Sequence, residues 1–206
     1  VEYHHSYGLA NRAFGASNHN DTKYKIASIT KLFTSTLILK LRDEGKIDLD
    51  STINRYLPKY SGEAADKVTV RQLLNHTSGM NNADKDASPE KGIAHYQTPM
   101  TTDALLERFY SGPPVAKPGT AFDYNNGDYI VLGKIIEAIE GKTFDTVLAE
   151  RILQPLNMRS SGMLQQARIV ENLADTYFFR DDLNSLVNDL PVYMENWYAS
   201  GAMFST

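Results

Sequence analysis

The 206-residue chain contains no cysteine. That excludes a disulfide framework, a thiolate metal site and a cysteine nucleophile, and it leaves the compartment open. The histidines, His4, His5, His19, His76 and His95, show neither H-x-x-x-H nor H-x-H spacing, so no zinc site is expected. No Gly-rich phosphate loop occurs, and no G-x-S-x-G, which removes the nucleotide-loop and α/β-hydrolase readings. No apolar run reaches the length of a membrane span. The formal net charge is −4 with no basic block, so nothing favours nucleic acid.

What is present is ordinary for a globular protein: 42% apolar and 22% charged residues, in a chain long enough for one large domain or two small ones. Helical periodicity dominates. Residues 28–44 read as an apolar helix stopped by Gly45, and "YIVLGKIIEAIEG" as a buried helix stopped by Gly141. Asp50 is a candidate N-cap for a short helix before Pro58. "TVRQLLNHTSG" predicts a helix from Thr69, and "TTDALLERFYSG" and "TFDTVLAERILQPLNM" predict two more. Residues 81–99 read as a long polar loop. Strand signals are few: one alternating stretch over Val1–Tyr7, and weak candidates at "DTYFF" and "AMFST". A lone strand is not stable, so strand partners are expected from outside the chain.

The stretch "KIASITKLFTSTLILKLRDEG" places Ser28 and Lys31 one helical turn apart, where the apolar run begins. Positions i and i+3 share a helix face, roughly 5–6 Å apart at Cβ. A serine hydroxyl needs a base to become a nucleophile. Partial burial and the positive helix N-terminus both disfavour the ammonium form of Lys31. A neutral lysine there accepts the serine proton. The plainer reading is a helix N-cap at Ser28 and a solvated lysine in the first turn. A second S-x-x-K, Ser88-Pro89-Glu90-Lys91, sits in a polar loop where no helix fixes its geometry.

"PGTAFDYNNGDYIVLGKIIEAIEG" adds a Y-x-N, Tyr124 to Asn126, just before a buried helix. With it the chain resembles the serine β-lactamase and penicillin-binding-protein superfamily, in the branch of class C β-lactamases, D-alanyl-D-alanine carboxypeptidases and esterases. "YKIASITKLFTS" is similar to that family's nucleophile segment and "VTVRQLLNHTSGM" to its L-L-x-H-T-S-G turn. "ERILQPLNM" is similar to its P-L-G-M helix end, with Asn157 for the glycine. "ASGAMFST" is similar to its G-G-x-x-S-T segment, with Ser200 for one glycine. These blocks fall in family order along nearly the whole chain.

The resemblance implies an α/β (α+β) fold, β-lactamase/transpeptidase-like, with a helical subdomain and an antiparallel sheet largely missing from this chain. Residues 1–45 would be part of an α/β subdomain, 46–165 a mainly helical subdomain, and 166–206 a return toward the first. Ser28 would be the acylated nucleophile and its backbone N–H an oxyanion donor. Lys31 would lower the cost of the alkoxide. Tyr124 would act as general base or proton relay. Asn126 would bind the substrate amide and help hold Lys31, a role compatible with a helix N-cap. His76 is expected to be buried and structural. Substrates would be β-lactams, D-Ala-D-Ala peptides or esters, with no cofactor, no metal and no nucleic acid. A non-catalytic penicillin-binding-like sensor or scaffold is the rival reading. The setting would be the bacterial periplasm or cell surface, with the cytoplasm still open.

One departure stands out. The family's third motif, K-T-G or H-x-G, is not found; Lys142-Thr143 lies between two helices and continues Phe-Asp. The expectation is an internal piece of a longer protein, or a chain completed by a C-terminal segment or a second chain, and inactive by itself.

Overall fold

A computed structural model describes residues 3–85 and 94–206. A hairpin comes first, β1 (Leu9–Asn11) against β2 (Ala16–Ser17), and then the short β3 (Tyr24–Lys25). The expected strand over the first seven residues is not formed by residues 3–7. The alternation there is real but has another cause: the rings of Tyr3, His5 and Tyr7 gather on one side, with centroids 6.3 and 4.6 Å apart. Gly8, at φ +74°, then turns the chain into β1.

A tight turn at Ala27–Ile29 leads into α1 (Thr30–Asp43). Thr30, Lys31, Thr34, Leu37, Ile38 and Leu41 are its buried positions, the spacing of a helix with one face in the core. The chain continues through α2 (Ile53–Tyr56) and α3 (Val70–Leu74). Thr52, not Asp50, occupies the N-cap position of α2. Asp50 instead pairs with Arg71 of α3 at 2.7 Å. Thr69 and Gln72 form a reciprocal capping box, so α3 starts where the sequence predicts.

The helices α4 (Thr102–Leu105) and α6 (Phe144–Leu148) each widen into a π-turn, at Leu106–Tyr110 and Ala149–Leu153. Between them lies α5 (Asn126–Glu140), buried along its first eight residues and again at Ile135 and Ile136. Both expected glycine stops are left-handed, Gly45 at φ +70° and Gly141 at φ +67°.

The C-terminal part adds β4 (Gly162–Met163), the hairpin β5 (Tyr177–Arg180) with β6 (Ser185–Asn188), α7 (Tyr198–Gly201) and β7 (Met203–Ser205). β7 is the middle of a three-stranded antiparallel sheet, with β3 on one side (Lys25 opposite Phe204) and β4 on the other (Met163 opposite Met203). Strand partners are therefore supplied within the chain. They escaped the sequence reading because β3 and β4 are two residues long, too short for a period. α1, α5 and α7 pack on one another, and that junction positions the site. Gly133 makes the close approach possible: a Cβ there would overlap the Tyr198 ring and the Ala199 methyl. Among the described residues, no helix is long and apolar enough to cross a membrane.

Candidate active site

The turn before α1 is fastened to β7. Ile26 N–H donates to the Met203 carbonyl at 3.0 Å, and Met203 N–H donates to Thr30 Oγ1 at 3.1 Å. Ala27 sits at φ +45°, a conformation that costs an L-residue roughly 1–2 kcal/mol. Ser28 follows it, exposed, in the first turn. N–H groups at such a position have no intrahelical acceptor, which leaves that of Ser28 available to an anion.

Lys31 is buried directly beneath. Its ammonium donates to Ser28 Oγ at 3.2 Å, to Asn126 Oδ1 at 2.6 Å and to the Ser200 carbonyl at 2.8 Å, so all three protons are used. Burial lowers its pKa from 10.5 to about 8, against the upward pull of Asp84 and Asp128. The nitrogen also lies 4.7 Å from the Tyr124 ring centroid and 5.6 Å from that of Tyr129. The Tyr124 hydroxyl donates to Ser28 Oγ at 2.6 Å and is partly open to solvent. The four residues singled out by sequence thus meet at one point.

The adjacent asparagines divide the work. Asn125, not Asn126, caps α5, accepting from Gly127 N–H at 2.9 Å. Its amide also donates to the carbonyls of Met80 and Asn81. Asn126 is thereby left to span from Lys31 to Asp84 Oδ2, to which its Nδ2 donates at 2.6 Å.

His76 is buried behind Tyr124, its ring 4.6 Å from the tyrosine ring. Its Nδ1 lies 3.1 Å from Asp128 Oδ2 and 3.2 Å from the Asn125 N–H nitrogen, so its contacts are with the α5 start rather than with Ser28. Burial pushes the Asp128 carboxyl up from its ordinary value.

Three participants were not singled out by sequence. Asp84 sits in a polar loop without periodicity, where nothing marks it. The Ser200 carbonyl is backbone, invisible to residue type. It is aimed by Tyr198, whose φ +42° and ψ −131° lie outside the regions open to a bulky side chain. The same turn offers the Ala199 carbonyl to Thr34 Oγ1 at 2.7 Å. Asp128 did leave a signal, as the acid in the buried first half of α5, which Glu137 and Glu140 follow only in its second half. The second S-x-x-K, Ser88 to Lys91, lies outside the described residues.

The family described as Beta-lactamase matches residues 1–206. The chain belongs to the β-lactamase family. Proteins similar to the chain include penicillin-binding protein 4 of Amycolatopsis lactamdurans, 29% identical over 162 residues, which are 77% of this chain and 41% of that protein. A penicillin-binding protein from Bacillus halodurans has a similar structure, with TM-score 0.82 and 28% identity over 98% of this chain and 62% of the other. A D-stereospecific amidohydrolase from Streptomyces sp. superposes with TM-score 0.77 and 29% identity, over 92% of this chain and 59% of the other. The chain therefore spans less than two thirds of each of these β-lactamase-family relatives. The mixed fold, helices with small antiparallel sheets, is the family fold, and the family is one of serine acyl hydrolases and amidases.

Proposed function

We propose that the chain provides the acylation centre of a serine acyl hydrolase. The observation that supports this best is the convergence on Ser28 Oγ of the Tyr124 hydroxyl at 2.6 Å and the Lys31 amine at 3.2 Å. With Lys31 near 8, a usable fraction is neutral at physiological pH. The neutral amine takes the Ser28 proton as Oγ bonds to the substrate carbonyl carbon. The oxyanion faces the Ser28 N–H. Collapse breaks the carbonyl–nitrogen or carbonyl–oxygen bond, and Tyr124 passes a proton from Lys31 to the leaving group. Water then attacks the ester on Ser28 and releases the acid.

Substrates of this chemistry are β-lactams, D-Ala-D-Ala peptides or simple esters. A non-catalytic, penicillin-binding-like sensor is the second reading, and the intact set of Ser28, Lys31, Tyr124 and Asn126 argues against it. Intact-mass analysis of the full-length protein after penicillin or a fluorophosphonate tests the first. The adduct should map to the tryptic peptide Ile26–Lys31 and vanish in Ser28→Ala. An adduct on Ser88 would sink the assignment. Stable acylation without turnover would select the sensor.

A further inference from the structure

Asp84 has no part in the steps above, yet it is one side chain away from Lys31. Its side chain is 13% exposed. Asn126 Nδ2 donates to its Oδ2 at 2.6 Å, and the Tyr96 hydroxyl donates to the same oxygen at 3.3 Å. His95 Nε2 lies 3.1 Å from Oδ1, off the hydrogen-bond axis.

The surroundings are closely packed. The His95 ring packs against Tyr96 and Phe109, with centroids 4.3 and 4.4 Å away, and Trp197 packs on Tyr96 at 4.8 Å. Asn196 Nδ2 holds the carbonyls of His95 and Thr98. On the other side Asn82 accepts from Asp84 N–H at 3.2 Å and donates to the Tyr124 carbonyl at 2.7 Å. Asp84 is thus pinned to the segment that holds Tyr124 and Asn126.

A side-chain amide has two ends of opposite polarity. An ammonium only donates and a carboxylate only accepts. Between Lys31 and Asp84, Asn126 satisfies both in one orientation only, with Oδ1 to the amine and Nδ2 to the carboxylate. We propose that Asp84 is a positioning residue, which locks the Asn126 amide so that its oxygen holds Lys31 beneath Ser28. It does not touch Ser28. Its catalytic consequence rests on the acyl-transfer reading; its effect on Lys31 does not.

The charge of Asp84 also bears on Lys31. That amine is faced by Asp84 from the loop, by Asp128 and Tyr129 from α5, by Tyr124 and by Ser28, with His76 behind Asp128. Asp84 itself is faced by Lys31, His95 and Tyr96, and the Tyr110 hydroxyl lies 3.5 Å from that of Tyr96. Burial lowers Lys31 and the two carboxylates oppose it. Neutralising Asp84 should lower Lys31 further.

The test uses the full-length protein with 13C-labelled lysine, the Lys31 signal being assigned with Lys31→Arg. The Lys31 midpoint and the pH profile of acylation are measured in the wild type, Asp84→Asn and Asp84→Ala. In Asp84→Asn the midpoint should fall by about half to one pH unit, and the acidic limb of kcat/KM should move with it. The plateau should drop less than about tenfold, because an asparagine oxygen still accepts from Asn126. Asp84→Ala should lower the midpoint at least as far and lose about ten- to a hundredfold on the plateau, because the amide is then free to turn. Equal plateaus in folded Asp84→Asn and Asp84→Ala, or an unmoved Lys31 midpoint in Asp84→Asn, overturn the proposal, even if melting temperature falls, since a mere loop staple would do that. If the wild type shows no Ser28-dependent acylation, the acyl-transfer reading fails instead, and the Lys31 titration still decides the placement of Asp84.

Discussion

Two helix beginnings meet at the site, and they are built differently. At α1 the chain enters through a strained residue, Ala27 at φ +45°, and no side chain caps the helix. At α5 it enters through Asn125, whose oxygen caps the helix in the ordinary way. The first start spends neither its hydroxyl nor its amine on a cap. The second spends one asparagine on the helix and releases the next for the site. Reactive groups thus sit where local structure is least satisfied, and the groups that aim them sit where it is most satisfied.

The largest expected effects fall on the reactive pair around Ser28. Lys31→Ala and Tyr124→Phe should each lower the acylation rate by about two to four decades. Their double variant should lose less than the product, because both act on one proton transfer. Pre-steady-state acylation of the four proteins completes the cycle, and multiplicative losses would separate the two roles.

A second effect concerns what α1 gives up in stability. The folded pKa of Lys31, about 8, is depressed below its ordinary 10.5. A depressed group contributes its full stability above the unfolded value and loses it as pH falls through the folded one. At about 1.4 kcal/mol per pH unit, the charged amine costs the fold about 3 kcal/mol at pH 7. Lys31→Met lacks this dependence. Denaturant titrations should therefore show the wild type gaining about 3 kcal/mol on this variant between pH 7 and pH 10.5. A parallel pH profile for the two proteins would mean that the fold does not depress the amine.

The smallest effect is the sharpest contrast between neighbours. Asn125→Ala should cost about 1–2 kcal/mol of stability, the scale of a lost cap, and should leave the Lys31 titration in place. Asn126→Ala should change stability less and acylation more, about ten- to a hundredfold. Melting curves and acylation rates on the pair read both. Equal losses in both readouts would erase the division of labour between the asparagines.

Much of this was legible because it repeats. The apolar positions of α1 recur on one face, α5 is apolar nearly all round, and Thr69 with Gln72 announces α3. The pairing of Ser28 with Lys31 is suggested by helix spacing, and it is the resemblance that selects it, together with Tyr124 and Asn126. What stayed hidden has no period. β3 and β4 are two residues each and are defined by β7 between them. Ala27 and Tyr198 hold left-handed or irregular backbone that neither residue type announces. Asp84 reaches the site only through tertiary packing, and the Ser200 carbonyl is common to every sequence. The strand expected before Gly8 failed for the converse reason: a real alternation arose from ring contacts without a ladder.

The cap at Asn125 has a consequence for how the molecule ages. Asn126 is followed by Gly127, the dipeptide in which a backbone nitrogen most readily attacks the preceding side-chain amide and expels ammonia. In the fold that nitrogen is not free, because its hydrogen is held by Asn125 Oδ1 at 2.9 Å within the first turn of α5. Each excursion to the unfolded chain releases it. An aspartate formed at this position would refold facing Asp84 across the gap now closed by a 2.6 Å hydrogen bond, carboxylate against carboxylate. Warm storage should thus inactivate the protein one molecule at a time, through deamidation mapped to the peptide containing Asn126, and Asn125→Ala should hasten the decay. Equal decay in the two proteins, with Asn126 intact, would show that the cap offers no such protection.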